Sequence, residues 1–139
     1  MNIPFLGNRS KKHGAAVLAE DPEGIAELLS ECELLRSHAD REGIRLDDTA
    51  ASLEALDQLP PRWRDDEEGL SWFGHDAGLY LGTVVVRTVP GAAWAIRPGG
   101  EPVVRLASGR EIDVAAAGRD WAASGTPELS QLYAEVAEN

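Results

Sequence analysis

His75 and Asp76, side by side, are the nearest this sequence comes to an acid–base pair. Consecutive residues of a helix project about 100° apart. The imidazole and carboxylate would therefore not face one substrate, and Asp76 is expected instead to pair with an arginine such as Arg87 or Arg62. His38 and Glu42, four residues apart, suit a solvated pair on a helix surface. Cys32 is the only cysteine and falls among apolar neighbours, where a thiol behaves as a small hydrophobe. The histidines are scattered, and the sequence holds neither paired cysteines nor an HExxH pattern, so no metal or cofactor is expected. Gly99-Gly100 precedes a strand-like stretch and lacks a following Gly-Lys-Ser/Thr, which argues against a phosphate loop. Neither a GxSxG nor an SxxK nucleophile motif occurs.

With reactive groups this sparse, the side chains to consider for binding are the large and charged ones. Trp63, Trp72, Trp94 and Arg97, with His75 and Asp76, would line an aromatic pocket for a small ligand if the fold gathered them. The first fourteen residues join an apolar head, Ile3 to Leu6, to a basic stretch. Phe5, Leu6, Arg9, Lys11 and Lys12 are its candidate contacts with a partner. Three readings follow. The first is an interaction or regulatory protein without catalytic activity, the second a small-ligand-binding domain, and the third an enzyme with an unfamiliar site. The scarcity of catalytic groups ranks them in that order, and the partner expected is another protein, a second copy of this chain included.

Charge narrows the partner further. Residues 1–19 carry Arg9, Lys11 and Lys12 and no acid, whereas the whole chain has a net charge of −11. Everything after residue 19 therefore stands at −14. A body of that sign repels phosphate backbones, so nucleic acid is not expected; a basic protein surface is the complementary match. No run of 18 apolar residues is present, and the N-terminus lacks the order of a secretory signal. The expected compartment is the cytoplasm.

Residues 69–96, the longest weakly charged stretch, must hold the candidates in place. Read as a helix, Leu70, Phe73, Ala77, Leu81, Val84 and Thr88 share a face. Gly74, Gly78 and Gly82 lie along its edge, where a missing Cβ admits another backbone. Trp72, Leu79 and Val86 point the opposite way, which makes such a helix central. The rival reading is a strand from residue 79 to 89, favoured by the β-branched residues from Thr83 onward.

Around this centre, residues 21–43 read as one helix. Asp21-Pro22-Glu23 starts it, Ile25, Leu28, Leu29, Cys32, Leu35 and Ala39 face inward, and Gly43 stops it. A second helix is expected to begin at Asp47 or Asp48 and bury Leu53 and Leu56 before Pro60. After Pro90 the period changes to two. Residues 92–97, 102–107 and 110–114 read as an antiparallel meander with Trp94, Ile96, Val104, Leu106 and Ile112 on its buried face. A helix over 114–123 holds Trp121, and Thr126-Pro127-Glu128 opens the last one. The expected fold class is α+β, about five helices on a small three-stranded antiparallel β-meander. The expected domain organisation is an N-terminal arm over residues 1–14 and a single domain over 15–139.

One resemblance bears on the helix–strand choice. Residues 78–87, GLYLGTVVVR, followed by Trp94, Pro102-Val103-Val104 and Gly109-Arg110-Glu111-Ile112, together with Asp21-Pro22-Glu23-Gly24 and residues 52–57, SLEALD, resemble a small family of Streptomyces-type actinobacterial proteins of unknown function. More distantly, the pattern is similar to bacterial domains in which a helix precedes a β-meander. The resemblance implies helix for residues 67–88 and carries no activity, ligand or site residue with it.

Overall fold

The computed structural model describes residues 22–59 and 67–138. Trp63, the arm residues Phe5, Leu6, Arg9, Lys11 and Lys12, and the arm boundary at residue 14 lie outside them. Among the described residues the order is α1 (Pro22–Leu29), α2 (Glu33–Arg41), α3 (Ala50–Asp57), α4 (Glu67–Thr88), β1 (Ala93–Ile96), β2 (Pro102–Arg105), β3 (Glu111–Ile112), α5 (Val114–Ser124) and α6 (Leu129–Ala137). The strands form one antiparallel sheet in the order β1-β2-β3. This is the expected α+β class, with one helix more because the first breaks in two.

The helical reading of the middle stretch holds. α4 runs 22 residues, about 33 Å. It is buried on both sides, with Phe73, Ala77, Tyr80 and Val84 at 0% exposure and Leu79 and Val85 at 8% and 2%. Strand propensity loses here to packing. Thr83 and Thr88 turn their hydroxyls back onto the carbonyls of Leu79 and Val84, at 2.9 and 2.7 Å, which gives the buried Thr83 hydroxyl its partner.

The glycine edge is where α5 meets α4. A Cβ on Gly78 would overlap the carbonyl of Val114 and lie 2.9 Å from Ala115 Cα. One on Gly118 would run into the backbone of Gly74 and Gly78, and one on Gly74 would lie 2.9 Å from Arg119 Cα. Two backbones thus touch across bare glycines, and Trp121 fills the adjoining space, stacked at 5.5 Å on Phe73. Gly82 serves the other neighbour, since the indole of Trp94 on β1 lies against its Cα.

The meander is shorter than expected but has the expected order. Its register aligns Trp94 with Val104 and Val104 with Ile112 on one face. The expectation of a single buried face is corrected at β2. Val103 and Val104 are neighbours and so point to opposite faces, yet both are fully buried.

The helix ends carry three further corrections. α3 is capped by Thr49, whose hydroxyl accepts from Ser52 N–H at 3.3 Å, and not by Asp47 or Asp48. Asp47 instead accepts from the Thr49 hydroxyl at 2.6 Å. α6 begins at Leu129, later than Thr126-Pro127-Glu128 suggests, and its first amides are met by a carboxylate from elsewhere. Asp57 at the end of α3 accepts from the N–H groups of Leu129 and Ser130 at 2.9 and 3.0 Å and from the Ser130 hydroxyl at 2.6 Å. The third is the break between α1 and α2. Gly43, by contrast, ends α2 as expected in the left-handed region (φ 77°), with Ile44 N–H returning to Ala39 O at 2.8 Å.

Candidate functional site

The break at residues 30–32 is built by side chains from outside it. Cys32 adopts a left-handed conformation (φ 37°) and offers no side-chain cap to the α2 amides. Asp76, on α4, supplies one: its carboxylate accepts from Leu35 N–H at 3.2 Å. That position is the third of α2, where a capping acid also meets the positive end of the helix dipole. On the other side, the carbonyls released by the end of α1 are taken up by Arg36. Its Nη2 and Nε donate to Ser30 O at 2.8 and 3.1 Å, and Nε donates to Glu31 O at 3.0 Å.

Arg36 is itself held from below. Nη1 donates to Leu46 O at 3.1 Å, and Nη2 reaches the Asp48 carboxylate at 3.4 Å. The guanidinium stands 5.3 Å over the ring of Tyr80. Asp48 also pairs with Arg87. Its own N–H donates to the Tyr80 hydroxyl at 2.8 Å, and that hydroxyl meets Ser52 Oγ at 2.6 Å. Ser52 donates to Thr49 O at 2.6 Å. Since a serine carries one hydroxyl proton, Tyr80 is then the donor to Ser52. One connected set of polar groups therefore pins the 42–49 loop, α3 and the break onto α4.

The titration of these groups fits a holding role. Burial, and after it the Asp76 carboxylate, pushes the Cys32 thiol up to about 12. Burial likewise raises the Tyr80 phenol above its ordinary value. Both stay protonated at neutral pH, so the thiol is no nucleophile and the phenol no base. Glu111 is exposed and moves the other way, lowered by its hydrogen bond to Arg105.

The remaining candidates are distributed over the fold. Trp72, His75 and Asp76 occupy one turn of α4. Trp72 is half-buried and meets Phe73 edge-on at 5.4 Å, and His75 is exposed. Asp76 does not take Arg87 as partner, because Arg87 is committed to Asp48; Arg62 lies outside the described residues. Trp94 lies against Gly82, about 15 Å along the α4 axis from Trp72. Arg97 pairs with Asp113, the α5 cap, at 3.4 Å and with Glu111 at 3.8 Å. His38 sits half-buried with its ring edge-on to Phe73 at 5.2 Å, at the edge of the core. Among the described residues no group of three or more His, Cys, Asp or Glu is arranged to hold a metal ion, and no helix is long and apolar enough to cross a membrane.

What the break leaves outside is apolar. Leu28 and Leu34, on either side of it, are 49% and 53% exposed. Glu27, Glu31 and Glu33, interleaved with them, are exposed too. In a continuous helix Leu28 would face the core with Cys32 and Leu35, so turning it outward follows from the break. Sequence reasoning placed Leu28 inside and passed over Leu34, although a leucine out of phase with Cys32, Leu35 and Ala39 was the available signal. Arg36 and Asp48 had no such signal, because their partners are distant in sequence.

Over its full length, residues 1–139, the chain matches the model of a family of unknown function, DUF6278. The protein belongs to the DUF6278 family. No curated protein and no solved structure matches it. For this DUF6278 member, the break with its two exposed leucines is the surface feature that packing within the described residues leaves unexplained.

Proposed function

We propose that this DUF6278 protein is a non-enzymatic interaction or regulatory domain. On this reading its acidic body meets a basic protein surface at the α1–α2 break. The observation that carries the reading is the exposure of Leu28 and Leu34 beside Glu27, Glu31 and Glu33, at a break that Arg36 and Asp76 hold in place. Apolar anchors ringed by charge are the anatomy of a protein interface. The polar groups of the interior support the same view, since Asp48, Asp57, Asp76, Tyr80 and Ser52 are each spent on joining helices. Acidic side chains around the leucines favour an arginine- or lysine-rich partner and speed its approach at low salt.

The test compares baits in native lysate: the full-length protein and its Leu28→Ser/Leu34→Ser variant, which alters exposed side chains only. A partner that is stoichiometric with the wild type, lost with the variant and weakened at high salt is the expected result. Equal capture by both baits, or no stoichiometric partner at either low or moderate salt, would overturn the reading.

A further inference from the structure

We infer that the exposed leucine face at the α1–α2 break is the intramolecular docking site of this chain's own residues 1–14. The inference rests on the same surface as the proposed function and adds an occupant to it. The two sequences are complementary in both respects that matter. The face offers Leu28 and Leu34 among Glu27, Glu31 and Glu33. Residues 1–14 offer Ile3, Phe5 and Leu6, then Arg9, Lys11 and Lys12, with no acid. Those two lysines are the only ones in the chain, so the composition that fits the face is concentrated in a segment seven residues ahead of α1.

Reach and entropy decide between docking on the same molecule and docking on a second copy. Fifteen residues lie between Leu6 and Pro22, a reach of up to about 53 Å of extended chain. Leu28 lies about 9 Å along α1 from Pro22. The tether is ample, and closing a loop of this size costs little more than closing a shorter one. A tether of this length sets an effective concentration in the millimolar range. A contact as weak as two leucines and a few screened charges is then well populated within one molecule, yet nearly empty between molecules at micromolar concentration. The basic segment would thereby shield the leucines and compete with a partner of the same chemistry, making occupancy of the face sensitive to salt.

A nitroxide at Asn2→Cys in the full-length chain tests this, because the buried Cys32 thiol stays unlabelled. In dilute ¹⁵N-labelled protein, the amide signals of residues 27–35 should be broadened and should recover when the nitroxide is reduced. Phe5→Ser/Leu6→Ser and Leu28→Ser/Leu34→Ser should each abolish the broadening, and high salt should lessen it. Unbroadened signals at 27–35 would overturn the inference, as would broadening that survives Leu28→Ser/Leu34→Ser. Broadening found only when spin-labelled ¹⁴N protein is mixed with unlabelled ¹⁵N protein would assign the face to a second copy and also overturn it. The experiment needs no partner, so its failure is separable from failure of the bait comparison.

Discussion

Gly78→Ala sets two effects of opposite sign against each other. Replacing glycine inside a helix ordinarily stabilises by about 1 kcal/mol, because alanine loses less backbone freedom on folding. At position 78 the new methyl would fall on the Val114 carbonyl and within 2.9 Å of Ala115 Cα. Overpacking a tight interior costs about 1–3 kcal/mol. The upper end applies here, since the obstructing atoms are helix backbone and can yield only if α5 shifts as a whole. The balance is a loss of ~2 kcal/mol, a fall in Tm of about 4–8 °C for a domain of this size. Thermal unfolding followed by circular dichroism measures it, with Gly99→Ala as control, because nothing lies within 4 Å of a Cβ there. Gly118→Ala should cost a similar amount, and the double variant less than the sum, because one displacement of α5 relieves both methyls. A Gly78→Ala protein as stable as the wild type, or more so, would refute the seam.

Removing the Asp57 carboxylate with Asp57→Ala should cost about 2 kcal/mol and lower hydrogen-exchange protection first in α6; unchanged protection there would mean that the helix is capped another way. Tyr80→Phe leaves Asp48 N–H and Ser52 Oγ without their shared partner, and should shift the urea midpoint by about 1–2 kcal/mol of stability. Cys32 should resist a thiol reagent in the native protein at neutral pH and react on denaturation; ready native labelling would contradict its burial. The shifts of Cys32 and Tyr80 are both upward, so each adds stability that is complete below its unfolded value and lost as pH rises through its folded one. For Cys32 the window runs from 9.0 to about 12, and Cys32→Ala should flatten that part of the stability–pH curve.

Much of this architecture was legible because it rests on local pattern. The period of Phe73, Ala77, Leu81 and Val84 announced α4, and the four-residue spacing of Gly74 and Gly78 announced a close backbone neighbour without saying which. The alternation after Pro90 announced the meander. Where local rules compete, the reading slipped. Asp47, Asp48 and Thr49 are all good capping residues, and the choice fell to Thr49 once Asp48 was drawn to Arg36 and Arg87. The α1–α2 break was illegible for a different reason. The groups that maintain it include Asp76, 41 residues from the amide it caps, and no pattern within residues 21–43 encodes that partnership. With the break unseen, the exposure of Leu28 was unseen too.

If the break between α1 and α2 is an interface, a partner polypeptide must come within bonding distance of Leu34. Photo-crosslinking reads this out, with a benzophenone side chain placed at Leu34 of the full-length protein and, as control, at the exposed Ala134 on α6. A discrete, salt-sensitive crosslink to a second polypeptide is expected from position 34, beside an internal one to residues 1–14, and neither from 134. Indistinguishable labelling from the two positions, or none from 34, would contradict it.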